Sequence, residues 1–275
     1  MSLRFSKMHG AGNDFVLLDL RNGSPLPDAA STRAIANRHT GVGFDQLLTI
    51  ENSDNPNCIA RYRILNSDGS PALQCGNGAR CVAAWIKRAG MTAASNFLLD
   101  SPAGVIDVQC LENEHYSLLM SVPDFVPASI PFFTEKVSTS YRLLLENESI
   151  EFVAVSMGNP HAVIQVDDIA NAPVESIGKA MQASTHFPES VNVGFAEIIS
   201  PTHIKLRVYE RGAGETLACG SGACAAVAAL ISLGKLESSV KVSLPGGDLH
   251  IEWTSNDAPI RMTGPAVFVF EGDWL

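Results

Sequence analysis

Two cysteines in this chain, Cys75 and Cys219, each stand directly before a glycine–polar–glycine step. The segments are Gln74-Cys75-Gly76-Asn77-Gly78-Ala79 and Ala218-Cys219-Gly220-Ser221-Gly222-Ala223. Behind each runs an alanine-rich stretch without proline that closes on a glycine, Gly90 in the first and Gly234 in the second. Alanine is the strongest helix former and glycine a common helix stop, so both cysteines are expected at helix starts. A free thiol titrates near ~8.5. The unsatisfied amides and the dipole at a helix N-terminus favour the thiolate, which lowers that value. The glycines allow the backbone to approach a bound anion. Each motif therefore offers an activatable sulfur and a nest of N–H groups for a carboxylate. Inverting a carbon centre needs a base on one face and an acid on the other. A thiolate and a thiol form a matched pair whose roles exchange when the reaction runs backward. Negative charge developing as the α-proton leaves would be stabilised by the helix starts that hold the carboxylate. This chemistry requires no cofactor.

The elements that must position these cysteines come as a repeat. The two cysteines are 144 residues apart. Gly12-Asn13-Asp14-Phe15-Val16-Leu17 matches Gly158-Asn159-Pro160-His161-Ala162-Val163 at an offset of 146, and Gln46 falls opposite Asn192 at the same offset. Three blocks in one order at nearly one spacing predict two homologous domains. Strand-like runs precede each cysteine motif, Tyr62-Arg63-Ile64-Leu65 and Arg207-Val208-Tyr209. Gly104–Val108 and Ser117–Val122 also read as strands between turn residues. The expected class is α/β (α+β), with domains at 1–121 and 122–264. The proline-rich stretch 122–131 would link them. A crossover near Gly264-Pro265 would return 265–275 to the first domain as a strand.

The bulk composition bounds the partners. The 275 residues are 46% hydrophobic and 17% charged, as in a soluble globular protein. A formal net charge of -10 disfavours nucleic acid and anionic membrane surfaces. The N-terminus lacks the apolar stretch of a secretory signal, and Ala223–Leu233 is about half the ~20 residues a membrane span needs. The expected location is the cytoplasm, where the six cysteines stay thiols. None forms the C-x2-C pair of a structural zinc site, so no metal is expected. Cys58, Cys81, Cys110 and Cys224 are expected as small buried residues. Gly220-Ser221-Gly222-Ala223-Cys224-Ala225 fits the pattern G-x-G-x-x-A, but no acidic residue follows about 20 positions on. A nucleotide-binding protein using the glycine loops and a thiol redox sensor are the readings from other classes.

The sequence resembles the diaminopimelate epimerases over essentially its whole length. The resemblance is carried by both cysteine motifs and by five further segments. These are Lys7-Met8-His9-Gly10-Ala11-Gly12-Asn13-Asp14-Phe15, Arg38-His39-Thr40-Gly41-Val42-Gly43-Phe44-Asp45-Gln46, Asn66-Ser67-Asp68-Gly69-Ser70, Met157-Gly158-Asn159-Pro160-His161 and Tyr209-Glu210-Arg211-Gly212-Ala213-Gly214-Glu215-Thr216. It implies two pseudo-symmetric domains, each a mostly antiparallel sheet wrapped around a central helix, with the substrate in the cleft between. It also implies epimerisation of LL- to meso-diaminopimelate without pyridoxal phosphate, on the route to lysine and peptidoglycan. By resemblance Cys75 is the proton donor and Cys219 the acceptor in one direction, with the labels exchanged in the other. Asn66, Asn159, Asn192, Glu210 and Arg211 would bind the distal amino-acid centre, with Asn13 and Gln46 also in the pocket. Arg211 would grip its carboxylate, and asparagine oxygens and Glu210 would accept from its ammonium group. Gly76, Asn77, Gly220 and Ser221 would hold the carboxylate at the reacting centre. His161 and Glu210 would tune the thiols, a surface salt bridge being the alternative for Glu210. Phe270 stands where relatives often carry a tyrosine, on the strand involved in homodimer contact.

Overall fold

The computed structural model describes residues 3–145 and 148–275. The chain divides into two compact units, Met1–Leu119 with Thr263–Leu275, and Met120–Met262.

In the first unit the strands β1 (Leu3–Gly10), β2 (Asn13–Asp19), β3 (Gln46–Ile50), β4 (Cys58–Arg61), β5 (Ile64–Asn66), β6 (Pro71–Ala72), β7 (Asn96–Ser101), β8 (Gly104–Cys110) and β9 (His115–Leu119) accompany two helices. These are α1 (Ala29–Ala36) and α2 (Gly76–Arg88). One sheet runs, from its edge, through the closing strand Val267–Trp274, then β1, β2, β3, β5 and β6. The strand Gly104–Val108 extends to Cys110, whereas Ser117–Val122 stops at Leu119. Beyond Leu119 the backbone pairs with Ile260 instead, the Met120 N–H donating to its carbonyl at 2.7 Å. β2 shows four consecutive buried residues, Phe15 to Leu18, rather than alternation. Both its faces are covered. Val16 and Leu18 pack with Ile35 and Phe44, while Phe15 and Leu17 point the other way by the pleat, to the face where α2 lies. α2 also packs against β1, β3, β8 and β9, which makes it the central helix of this unit.

The second unit holds β10 (Tyr141–Leu145), β11 (Glu148–Ser156), β12 (Pro160–Val166), β13 (Asn192–Ser200), β14 (His203–Glu210), β15 (Gly214–Thr216), β16 (Ser239–Leu244) and β17 (Gly247–Glu252), with helices α3 (Val174–Gln182) and α4 (Gly220–Ser232). Its central helix is α4, buried from Gly222 to Leu230 and packed against β11, β12, β13, β14 and β17. An aromatic cluster fills the other side of the sheet, with Phe132 and Phe187 stacked at 4.8 Å between centroids. The proline-rich stretch 122–131 is part of this packing: Asp124 bridges to Ser156 and Ile130 is buried.

The repeat is visible in the strand registers. β2 and β3 run parallel with Phe15 opposite Gln46, and β12 and β13 run parallel with His161 opposite Asn192. Both partners have moved by 146 residues. Likewise Ile64 faces Ala72 in β5–β6 and Val208 faces Thr216 in β14–β15, each moved by 144. Both central helices are 13 residues long, and each is followed by a glycine at positive φ, Gly90 and Gly234. The closing strand pairs antiparallel with β1, Leu3 opposite Trp274. Among the described residues no helix is long and apolar enough to cross a membrane.

Candidate active site

Each cysteine caps its central helix with its own sulfur. Cys75 is the N-cap of α2 in extended conformation, and its Sγ accepts from the Gly78 N–H at 3.3 Å. Cys219 is the N-cap of α4 and accepts from the Gly222 N–H at 3.4 Å. A side chain at either glycine would crowd the helix start, at Gly78 chiefly against Leu48 Cδ2 at 3.2 Å and at Gly222 against Cys219 itself. A Cβ added at Gly78 would lie 3.4 Å from Cys75 Sγ, and one at Gly222 3.2 Å from Cys219 Sγ. The glycine three residues after each cysteine is thus needed for space, since neither has positive φ.

Around Cys75 the structure gathers Asn13 and Asn77. Cys75 Sγ lies 3.7 Å from Asn13 Oδ1, and Asn77 Nδ2 donates to the same oxygen at 3.3 Å. Asn13 in turn donates to Asp45 at 2.8 Å. Gln46 and Asn66 form a second pair, with Gln46 Nε2 donating to Asn66 Oδ1 at 3.0 Å across the β3–β5 ladder. Behind them Asp14 is held between Lys7 and Arg38. Burial pushes its carboxyl up, but the hydrogen bonds and charge of Arg38 and Lys7 outweigh this and hold it down at about 2.

Around Cys219 the structure gathers Ser221, Asn159 and His161. Ser221 Oγ is 3.6 Å from the sulfur, 3.1 Å from His161 Nε2 and 3.4 Å from Asn159 Nδ2. His161 Nε2 is also 3.0 Å from Asn159 Oδ1. Burial, with the positive charge of Arg211, holds His161 down at about 3, so its ring is neutral at physiological pH. Asn192 Oδ1 accepts from the Arg211 backbone N–H at 2.9 Å, while the exposed Arg211 guanidinium donates to the Glu189 carbonyl at 2.9 Å. Glu210 accepts from Thr216 Oγ1.

One of the two thiols departs from expectation. A helix start was to lower the value of both, yet Cys219 is pushed well above the ordinary cysteine range. Burial does most of this, and the charge and hydrogen bond of the Glu210 carboxylate add to it. The Ser221 hydroxyl and the Gly222 N–H oppose it. Magnitudes explain the outcome. A helix terminus contributes about 0.3–1 kcal/mol, less than one pKa unit of about 1.4 kcal/mol, whereas full burial moves a group by up to about 3–5 units. With Cys219 at 5% exposure, burial wins. Cys75 is half-buried. Of the four cysteines expected as buried, Cys58, Cys81 and Cys224 are so, whereas Cys110 is half-buried near the end of β8.

Arg80, Asp45, Asp14 and Thr216 touch these residues and were not singled out by sequence reasoning. Arg80 had a signal: an arginine inside the apolar run Ala79-Arg80-Cys81-Val82-Ala83 must find polar partners in the core. Phe270 lies on the closing strand, exposed, with its ring edge-on to Phe5. Among the described residues no three His, Cys, Asp or Glu side chains converge as a metal site.

The family model for diaminopimelate epimerase matches residues 5–126 and 153–269. A diaminopimelate epimerase from Xanthomonas campestris pv. campestris is 55% identical over 273 residues, covering 99% of this chain and 96% of the relative. One from Xylella fastidiosa strain M12 is 52% identical with the same coverage. Among solved structures, a Bacillus anthracis phenazine biosynthesis protein of the PhzF family superposes with a TM-score of 0.73 at 16% identity, covering 100% of this chain and 99% of its own. A probable proline racemase from Agrobacterium radiobacter gives a TM-score of 0.71 at 15% identity, covering 98% and 92%. At such identities the two structures speak for the fold alone.

Proposed function

The chain belongs to the diaminopimelate epimerase family, and we propose that it interconverts LL- and meso-diaminopimelate with Cys75 and Cys219 as the acid–base pair. The observation that carries this reading is the matched cap: two cysteines, each closing the N-terminus of a 13-residue central helix with its sulfur three residues before a space-limited glycine. In the proposed reaction one thiolate takes the α-proton and the other thiol delivers a proton to the opposite face, so the carbon inverts with no net change in charge. Cys219 begins as the proton donor, because burial and Glu210 keep its proton on. The reverse direction starts from the exchanged protonation states. Amide N–H groups at the starts of α2 and α4, with Asn77 and Ser221, hold the carboxylate whose charge grows as the proton leaves.

Asn66, Asn159, Asn192, Glu210 and Arg211 bind the centre that does not react, with Asn13 and Gln46 also in the pocket. The amide groups and Glu210 suit an ammonium group, and Arg211, exposed in this structure, suits a carboxylate. His161 acts on Cys219 through Ser221, to which both are adjacent. The protein works in the cytoplasm on a small-molecule substrate, as a homodimer in which the exposed Phe270 contributes to the contact.

The test is hydrogen exchange. Reduced protein is mixed with LL-diaminopimelate in D2O without added cofactor, and deuterium at the α-carbon is followed by NMR. The expected result is deuterium entry with formation of the meso isomer, reduced at least about 10³-fold in Cys75→Ala and in Cys219→Ala. Exchange that survives either substitution at the wild-type rate overturns the two-thiol reading.

A further inference from the structure

The half-site around Cys75 contains a chain of hydrogen bonds that is charged at both ends. At one end is Arg80, with no exposed surface. Its Nη2 donates to Asn77 Oδ1 at 2.8 Å and its Nε to the Pro265 carbonyl at 3.3 Å. Asn77 Nδ2 donates to Asn13 Oδ1 at 3.3 Å, and Asn13 Nδ2 donates to Asp45 Oδ2 at 2.8 Å. Arg38 and the Asp14 backbone N–H hold the Asp45 carboxylate from the far side. A guanidinium only donates and a carboxylate only accepts. The direction of every link is therefore dictated by the two ends, and neither amide is free to turn over.

We propose that Arg80 and Asp45 are positioning residues for the epimerisation: they fix the amides of Asn77 and Asn13 so that Asn13 presents its oxygen, not its N–H, to Cys75 Sγ. The proposal rests on the reading of Cys75 as a reacting thiol. Such a thiol must alternate between two forms. The Gly78 N–H supports the thiolate and the Asn13 oxygen supports the thiol. An Asn13 turned over would offer a second donor to the sulfur, favour the thiolate and slow its reprotonation. Tyr62 and Cys81, which also face Cys75, are pushed up by burial and stay neutral. The charges that bias this site come from Arg80 and from the Asp45, Arg38, Asp14 and Lys7 group. In the second unit other residue types stand at the two ends of the clamp. Cys224 stands 144 residues after Arg80 and Val191 stands 146 residues after Asp45, both buried.

The experiment follows the alkylation of Cys75 by iodoacetamide against pH, by peptide mass spectrometry, with Cys219 in the same samples as the reference. Asp45→Asn, Arg80→Met and Arg80→Lys are compared with the wild type, together with α-deuterium exchange. In Asp45→Asn a negative charge is lost and Asn13 can turn over, so the Cys75 profile moves to lower pH. In Arg80→Met the cation is lost and the profile moves to higher pH. Both variants slow exchange by about 10- to 100-fold, Arg80→Lys recovers part of the loss, and the Cys219 profile does not move. Asp45 is exposed, so its variant keeps the test available if Arg80→Met does not fold. An unmoved Cys75 profile in Asp45→Asn, or shifts of the same sign in the two variants, overturns the clamp. Absence of exchange in the wild type would instead strike the epimerase reading, while the thiol profiles still decide whether the clamp exists.

Discussion

The surroundings of Cys75 and of Cys219 are built on the same registers from different chemistry. Around Cys75 the orienting groups are ions: Arg80 below the helix start, and Asp45, Arg38, Asp14 and Lys7 behind Asn13. Around Cys219 the corresponding places hold neutral residues. His161 stands opposite Asn192 where Phe15 stands opposite Gln46, and Pro160 replaces Asp14. Glu210, at the position of Asn66, brings a negative charge to this sulfur and pushes the thiol's value up. A duplicated fold thus supplies two equivalent helix starts, and the shell around each start decides which proton state its thiol favours. The proposed acid–base pair needs one thiolate and one thiol, and the unequal shells favour the proton on Cys219.

The comparison is broken most severely at Glu210. Glu210→Gln removes the charge that holds the proton on Cys219, so the Cys219 alkylation profile moves to lower pH while that of Cys75 stays. Turnover falls by about 10³-fold, since the same carboxylate is the group proposed to bind the substrate ammonium. A Cys219 profile that does not move would remove Glu210 from the account.

The next effect lies in the neutral shell. His161 titrates near 3 in the folded chain against 6.5 for the free group. Below 6.5 the unfolded chain binds the proton first, so stability falls as pH drops through 6.5 and levels off only near 3. This slope amounts to something on the order of 3 kcal/mol by pH 4. Urea unfolding of His161→Gln between pH 4 and 7 is expected to show that part of the slope removed; an unchanged slope would assign it to other groups.

A smaller effect is expected in the charged shell, with the opposite chemistry and the same direction in pH. Asp14 is held at about 2 against 3.8 unfolded, so its contribution is present above 3.8 and is lost as pH falls through 2. Asp14→Asn leaves Lys7 buried without its carboxylate and costs about 2 kcal/mol at neutral pH, below the range for a fully buried pair because Arg38 is largely solvated. Thermal unfolding at pH 7 and pH 3 measures it, and the difference between variant and wild type shrinks at the lower pH.

What could be read from the sequence was what local spacing determines. The glycine at +3 from each cysteine, the proline-free alanine runs and the closing glycines specify a capped helix without reference to the rest of the chain. The offsets of 144 and 146 anticipate registers because a repeat preserves strand pairing. The depth of each sulfur was not legible. Cys75 and Cys219 sit in nearly identical hexamers, and only the packed shell makes one half-buried and the other 5% exposed. Nor was the clamp, since Arg80, Asn13 and Asp45 meet through three separate elements and no single window contains them.

The closing strand has a consequence for how the protein is made. The second unit is complete at Met262, but the first still lacks the partner of β1, which lies some 265 residues further along the chain. The Pro265 carbonyl that Arg80 Nε grips arrives in the same final stretch. The first unit therefore keeps an open edge along β1 until the last residues of the chain are available to it. The surroundings of Cys75 can then mature only with the end of the chain in hand, although the cysteine itself is translated long before Cys219.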